Sequence, residues 1–233
     1  MAGTICFLSI IFVEINFATF MNHSLWHNHR VQIAVSVGYF LLVGLYFSPL
    51  GIVKMAFPLV FLTLCALRYA SWPMVMAMLF SALGDWMGMC SNFWGQMGAF
   101  AIAHVAFLVY FCKALCHGGA PDRKWWKWIV VGVYGLMAGC LIVPHVQGVL
   151  QIGVSVYILL ILAMCGCAWV QKSRYYAWGA WLFVFSDTVL AWNKFVSPIE
   201  YVGYLIMVPY YLGQWTLFIT SIAPRLKNVS CIE

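Results

Sequence analysis

The 233-residue chain contains only six acidic residues. Two of them, Asp85 in "SALGDWMGMC" and Asp187 in "FVFSDTVLAW", interrupt long apolar runs. An ionisable group at membrane depth costs several kcal/mol unless it faces protein or water, which makes each a functional candidate by default. Burial disfavours the charged form of a carboxyl group. An acid that keeps its proton near working pH can donate it. The chemistry that suits two such groups is paired-carboxylate hydrolysis. One Asp serves as acid, while the other orients water or stabilises an oxocarbenium-like cation.

The surrounding composition explains why these residues stand out. The chain is 65% hydrophobic and 8% charged, far from the roughly one-quarter charged content of soluble domains. An all-α, polytopic transmembrane bundle follows. Roughly 20 residues cross a 30 Å hydrocarbon core, and apolar runs of about that length lie near 31–47, 52–68, 73–90, 97–115, 126–143, 148–170, 176–193 and 202–222. These are eight spans, or nine in total if the N-terminal run Cys6–Phe20 also crosses. That run carries Glu14, which either caps the pocket or faces an aqueous crevice. The breaks "SPLG", "SWP", "CSN", "HGGAPDRK", "VPHVQG", "QKSR" and "VSPIE" are turn signals. No linker divides the chain, so residues 1–233 read as one membrane domain: an N-terminal helix and loop (1–30), a bundle core (31–222) and a short tail (223–233).

Charge sets the orientation. Arg30, Arg68, Lys113, Arg123, Lys124, Lys127, Lys172, Arg174, Arg225 and Lys227 fall on one side of this map; only Lys54 and Lys194 fall on the other. Such a bias makes the first side cytoplasmic and places the C-terminus there. The net charge of +6 therefore reports topology, and no nucleic-acid partner is expected. The nine cysteines form no CxxC pair and read as small apolar side chains, without a disulfide framework.

On this map Asp85, Asp187, His104, Tyr210 and Gln214 share a layer in the outer half of the bilayer, with Lys54, Asn193 and Lys194 at the rim. The layer predicts a pocket opening away from the cytoplasm. Each member also has a plainer reading. Asp85 bonded to Ser81, one turn earlier, would be helix glue. His104 would be a core histidine, and the lysines interfacial snorkellers. Serine hydrolase chemistry lacks its GxSxG elbow. A zinc site drawing on His104, Asp85 and Asp187 lacks HExxH spacing, so no metal and no cofactor are expected. A proton- or ion-coupled transporter, or a lipid-binding membrane protein, is the alternative use of the same aspartates; broken helices and inverted repeats would mark a transporter, and neither is visible.

The segments "LFSALGDWMGM", "FWGQMGAFAIAHVAFLVYF", "GAWLFVFSDTVLAWNKF" and "YLIMVPYYLGQ" resemble, in order and spacing, the signatures of the lysoplasmalogenase (YhhN-like) membrane family. "YFSPLGIVKMAFPLVFL" is similar to that family's Lys–Pro segment. The likeness covers roughly residues 39–222. Two positions depart from the pattern: Pro58 is displaced by one residue, and Pro209 replaces a small hydroxyl residue. The resemblance implies hydrolysis of the vinyl ether of a lysophospholipid, the lysoplasmalogen. The products would be a fatty aldehyde and glycerophosphoethanolamine or glycerophosphocholine. It carries functional roles onto Asp85, His104, Ser186, Asp187, Asn193, Lys194, Tyr210, Gln214 and Lys54. Asp85 is then expected as the acid and Asp187 as its partner, or the reverse. The host would be a bacterial inner membrane or an endoplasmic reticulum.

Overall fold

A computed structural model describes residues 29–50, 53–117 and 124–222. The N-terminal run with Glu14 and the 223–233 tail lie outside the described residues. Among those residues there are eight α-helices and no strand: α1 (His29–Phe47), α2 (Phe57–Tyr69), α3 (Trp72–Met89), α4 (Phe93–His117), α5 (Trp126–Ile142), α6 (Val149–Trp169), α7 (Arg174–Phe195) and α8 (Val202–Ile222). Each stands on one of the apolar runs. Four stretches are long and apolar enough to cross a membrane: Phe93–Cys116, Trp126–His145, Val149–Trp169 and Val202–Ile222. Gln32–Phe47 and Phe57–Tyr69 are apolar but shorter. The two helices that carry the aspartates, α3 and α7, are in neither group, because acidic and aromatic residues dilute their apolar content.

Local chemistry sets the boundaries. Pro58 and Pro73 sit in the first turns of α2 and α3, where a missing N–H is no loss. Asn92 caps α4 by accepting the Gly95 N–H at 2.9 Å, which starts that helix at Phe93 rather than at 97. The chain reverses just before it through Ser91, at φ 56°.

Lipid and side chains are equally apolar, so membrane helices associate through close packing and interhelical hydrogen bonds rather than hydrophobic burial. Both devices appear. The backbones of α7 and α8 touch where two glycines meet: a Cβ on Gly213 would lie 2.9 Å from the Gly179 carbonyl oxygen, and one on Gly179 would lie 3.1 Å from that of Gly213. The Tyr39 hydroxyl donates to the Tyr211 carbonyl at 2.9 Å, and Trp215 Nε1 to the Ser36 hydroxyl at 3.0 Å, which ties α1 to α8. Tyr110 and Tyr176 share a 2.7 Å hydroxyl contact, and Tyr176 donates to the Thr220 carbonyl at 3.1 Å.

A file of buried rings runs through the bundle towards the end where α7 begins. Phe183 meets Phe107 at 6.4 Å between centroids, Phe107 stacks on Phe111 at 6.5 Å, and Phe111 meets Tyr176 at 5.3 Å. The three phenylalanines have no solvent exposure.

Candidate active site

The acids sit on different helices, each beside a tyrosine. Asp85 lies four residues from the end of α3, about 6 Å along the axis, and Asp187 eight from the end of α7, about 12 Å. Asp85 is only 2% exposed. The Tyr210 hydroxyl of α8 lies beside its carboxyl group, although no closed hydrogen bond joins the hydroxyl to it. One turn away the same two helices are clamped: Gln214 Nε2 donates to the Ser81 hydroxyl at 2.9 Å. Ser81 therefore serves α8 rather than Asp85. Removing that acceptor with Ser81→Ala should lower stability by about 1–3 kcal/mol, read as a reduced midpoint of thermal unfolding in detergent.

Asp187 has a firmer partner. The Tyr157 hydroxyl of α6 donates to Asp187 Oδ2 at 2.5 Å. Both residues line a partly open cavity of about 70 Å³ between α4, α5, α6 and α7. Its walls are mainly apolar, including Met97, Ile158 and Ile161. Its polar lining is Gln96, Tyr134, Tyr157, Asp187 and Thr188. Tyr134 donates to the Thr188 hydroxyl at 2.8 Å, so that pair satisfies itself. Phe93 at the start of α4 and Phe195 at the end of α7 meet at 5.6 Å and also line the cavity. The space thus reaches the end of the bundle that carries Lys194, whose ammonium lies 4.5 Å from the Phe93 ring centroid.

His104 is buried on α4 beside Tyr157. Its Nδ1 is 2.6 Å from the Phe100 carbonyl oxygen, which only accepts; Nδ1 therefore donates, and Nε2 keeps its lone pair in the neutral ring. Nε2 has no partner among the described residues. The ring packs 5.3 Å from Tyr157 and 4.8 Å from Phe183. Phe183 in turn lies 5.3 Å from Tyr210, and Phe100 lies 5.9 Å from it.

The hollow expected between the two carboxyl groups is therefore divided. They remain within electrostatic range of one another, but Asp187 lines the cavity and Asp85 does not. Phe100, on the cavity wall, is pressed into the gap that Gly84 leaves: a Cβ at Gly84 would be 3.0 Å from the ring. The remaining expected residues stand outside this centre. Ser186 donates to the Ile206 carbonyl at 2.9 Å, and Asn193 Oδ1 accepts the Ile199 N–H at 2.9 Å and shapes the α7–α8 turn. Lys54 is exposed before α2. Tyr157 was not among the expected residues. Its signal was available, since it lies eight residues into α6 just as Asp187 lies eight from the end of α7, but it is one of twelve tyrosines. Among the described residues no three His, Cys, Asp or Glu side chains gather in reach of one ion.

Fold and site together define a multi-pass, all-helical integral membrane protein with one buried carboxyl group, Asp85, and one part-buried, Asp187, on the wall of an apolar cavity. The chain belongs to the YhhN family, whose family model matches residues 45–221. It is similar to the lysoplasmalogenase TMEM86B of Homo sapiens, 29% identical over 126 residues, which are 54% of this chain and 52% of that protein. The lysoplasmalogenase TMEM86B of Sus scrofa is 30% identical over 156 residues, 65% of this chain and 64% of that one. The lysoplasmalogenase TMEM86A of Bos taurus is 28% identical over 159 residues, 64% of each chain. The match thus spans between about half and just under two-thirds of these relatives' length. No solved structure matches the chain.

Proposed function

We propose that this protein is a lysoplasmalogenase, which hydrolyses the vinyl ether bond of a lysophospholipid within the membrane. The observation that carries the reading is the Asp187–Tyr157 pair on the wall of an apolar, helix-bounded cavity. The names of the similar proteins support it. A single lipid chain suits such walls, and the cavity brings it to a carboxyl group.

Cleavage of a vinyl ether begins with protonation of its outer alkene carbon, which leaves an oxocarbenium ion. Water attacks the carbon bonded to the ether oxygen, and the hemiacetal collapses to a fatty aldehyde and the glycerophospho-alcohol. One water is consumed. We assign the proton to Asp187, since among the described residues it is the one carboxyl group on the cavity wall. The Tyr157 hydroxyl engages Oδ2 and leaves Oδ1 for the substrate. The conjugate carboxylate then faces the cation it has created and receives the proton of the attacking water. Asp85 contributes through its field from behind Phe100 and Phe183. Lys194 at the mouth suits the substrate phosphate. In this reading all eight helices cross the bilayer, one domain spans the chain, the basic side and C-terminus are cytoplasmic, and the mouth opens to the other leaflet.

The closure of the cytoplasmic half by buried rings favours a one-sided hydrolase over a carrier, which needs access from both faces. The test uses purified full-length protein in detergent with alkenyl-lyso and acyl-lyso lipids. Release of fatty aldehyde from the first is expected. Fatty acid from the second, without aldehyde, rejects the substrate assignment. Tyr157→Phe keeps the ring and loses the donor; it should lower kcat by about 10–100-fold while KM stays within about twofold, measured by the same aldehyde assay.

A further inference from the structure

Of the five polar side chains on the cavity wall, Tyr134 is tied to Thr188 and Tyr157 to Asp187. Gln96 differs. It makes only the backbone contact to the Asn92 carbonyl at 2.9 Å, and its carboxamide has no hydrogen-bond partner among the described residues. Yet the group is deliberately housed: a Cβ at Gly88 would come within 2.7 Å of Gln96 Nε2 and 3.0 Å of Cδ. The carboxamide therefore packs against α3 at Gly88, and a side chain there would have to displace it. A primary amide offers donors and an acceptor together, and one left unpaired on a cavity wall is suited to a ligand that can do both. A hydroxyl group can.

Depth says which hydroxyl. Gln96 is three residues into α4 and Asp187 eight from the end of α7, at the same end of the bundle. Gln96 thus lies nearer the mouth by about 7 Å at 1.5 Å per residue. In a single-chain glycerophospholipid, the free hydroxyl on the central glycerol carbon and the outer alkene carbon of the vinyl ether are about 6 Å apart when extended. A lipid whose alkene reaches Asp187 sets that hydroxyl at Gln96, and its phosphate further out near Lys194.

We infer that Gln96, seated on Gly88, is a specificity subsite for the free central hydroxyl of a single-chain ether lipid. The inference rests on the hydrolase reading for the orientation of the lipid, but it is testable by binding alone. The hydroxyl donates to Oε1 and accepts from Nε2. A lipid without it leaves the amide unpaired, which is how sites built to bond a hydroxyl reject analogues that lack it.

The experiment measures equilibrium binding of two non-hydrolysable 1-alkyl lipids to the purified full-length protein: one with the central hydroxyl, and a deoxy counterpart without it. Wild type should prefer the first by about fivefold. Gln96→Met, which keeps length and volume, should bind both within about twofold, with an unchanged melting temperature. Gly88→Ala displaces the amide without removing it and should reduce the preference as well. A preference that survives Gln96→Met, or a wild type with none, overturns the inference. Aldehyde release is scored separately: wild type that shows the preference but releases no aldehyde keeps the subsite and loses the hydrolase reading.

Discussion

Asp187→Asn is expected to reduce aldehyde release from an alkenyl-lysolipid by at least about a thousandfold, with the protein still folded. The amide keeps the size of the side chain and can still accept from Tyr157, so the Tyr157 contact at Asp187 and the cavity walls stay in place. What it lacks is a proton that can be given to carbon and recovered from water. General acid catalysis accounts for about 10²–10⁴-fold, and stabilisation of the cation by the conjugate carboxylate adds to it. Turnover of purified Asp187→Asn against wild type, at matched folding by thermal melting, decides the point. Residual activity above about one-tenth would place the proton donor elsewhere. The same change at Asp85 acts from behind the ring partition and should cost less, about 10–100-fold.

Gly213→Val should destabilise the bundle by about 3 kcal/mol or more. The added Cβ would lie 2.9 Å from the Gly179 carbonyl oxygen and 3.4 Å from the Phe183 backbone nitrogen. Backbone atoms cannot rotate away as a flexible side chain can, so α7 and α8 must separate. Overpacking costs about 1–3 kcal/mol where side chains relax, and more where they do not. Separation also moves Tyr210 and Gln214, which flank Gly213 on α8, away from α3, so the melting temperature and the aldehyde rate should fall together. Gly139→Ala is the control, because a Cβ there meets nothing within 4 Å; it should be neutral or slightly stabilising, since Ala outranks Gly in a helix. Equal melting temperatures for Gly213→Val and wild type would refute the close approach.

Positions along the helix axes were legible in the sequence, and positions around them were not. Breaks such as "SPLG" and "VSPIE" locate helix ends to within a few residues. The largest shift is five residues, at the start of α2, which begins at Phe57 rather than at 52; the next, four residues at the start of α4, comes from the Asn92 cap within "CSN". Asp85 lies four residues and Asp187 eight from the ends of their helices, and Tyr210 eight from the start of α8, whereas His104 falls at the middle of α4 once that helix begins at Phe93. Which way each side chain points depends on rotation about the helix, and amphipathicity fixes rotation only where one face is polar. Helices apolar all round carry no such mark. Asp85 and Asp187 therefore read as facing one hollow, whereas Phe100 and Phe183 lie between them. Tyr157 stayed hidden for the same reason: its hydroxyl matters through its direction towards α7, and direction comes from packing.

The file of rings from Phe183 through Phe107 and Phe111 to Tyr176 has a consequence for the host cell. A membrane stores energy as a proton gradient, and acidic groups sunk into it are stepping stones for leakage. If Asp187 takes and returns its proton through the mouth, as proposed, the Phe183, Phe107 and Phe111 rings carry no hydroxyl or acid to relay it further, and acid chemistry inside the insulator would not discharge it.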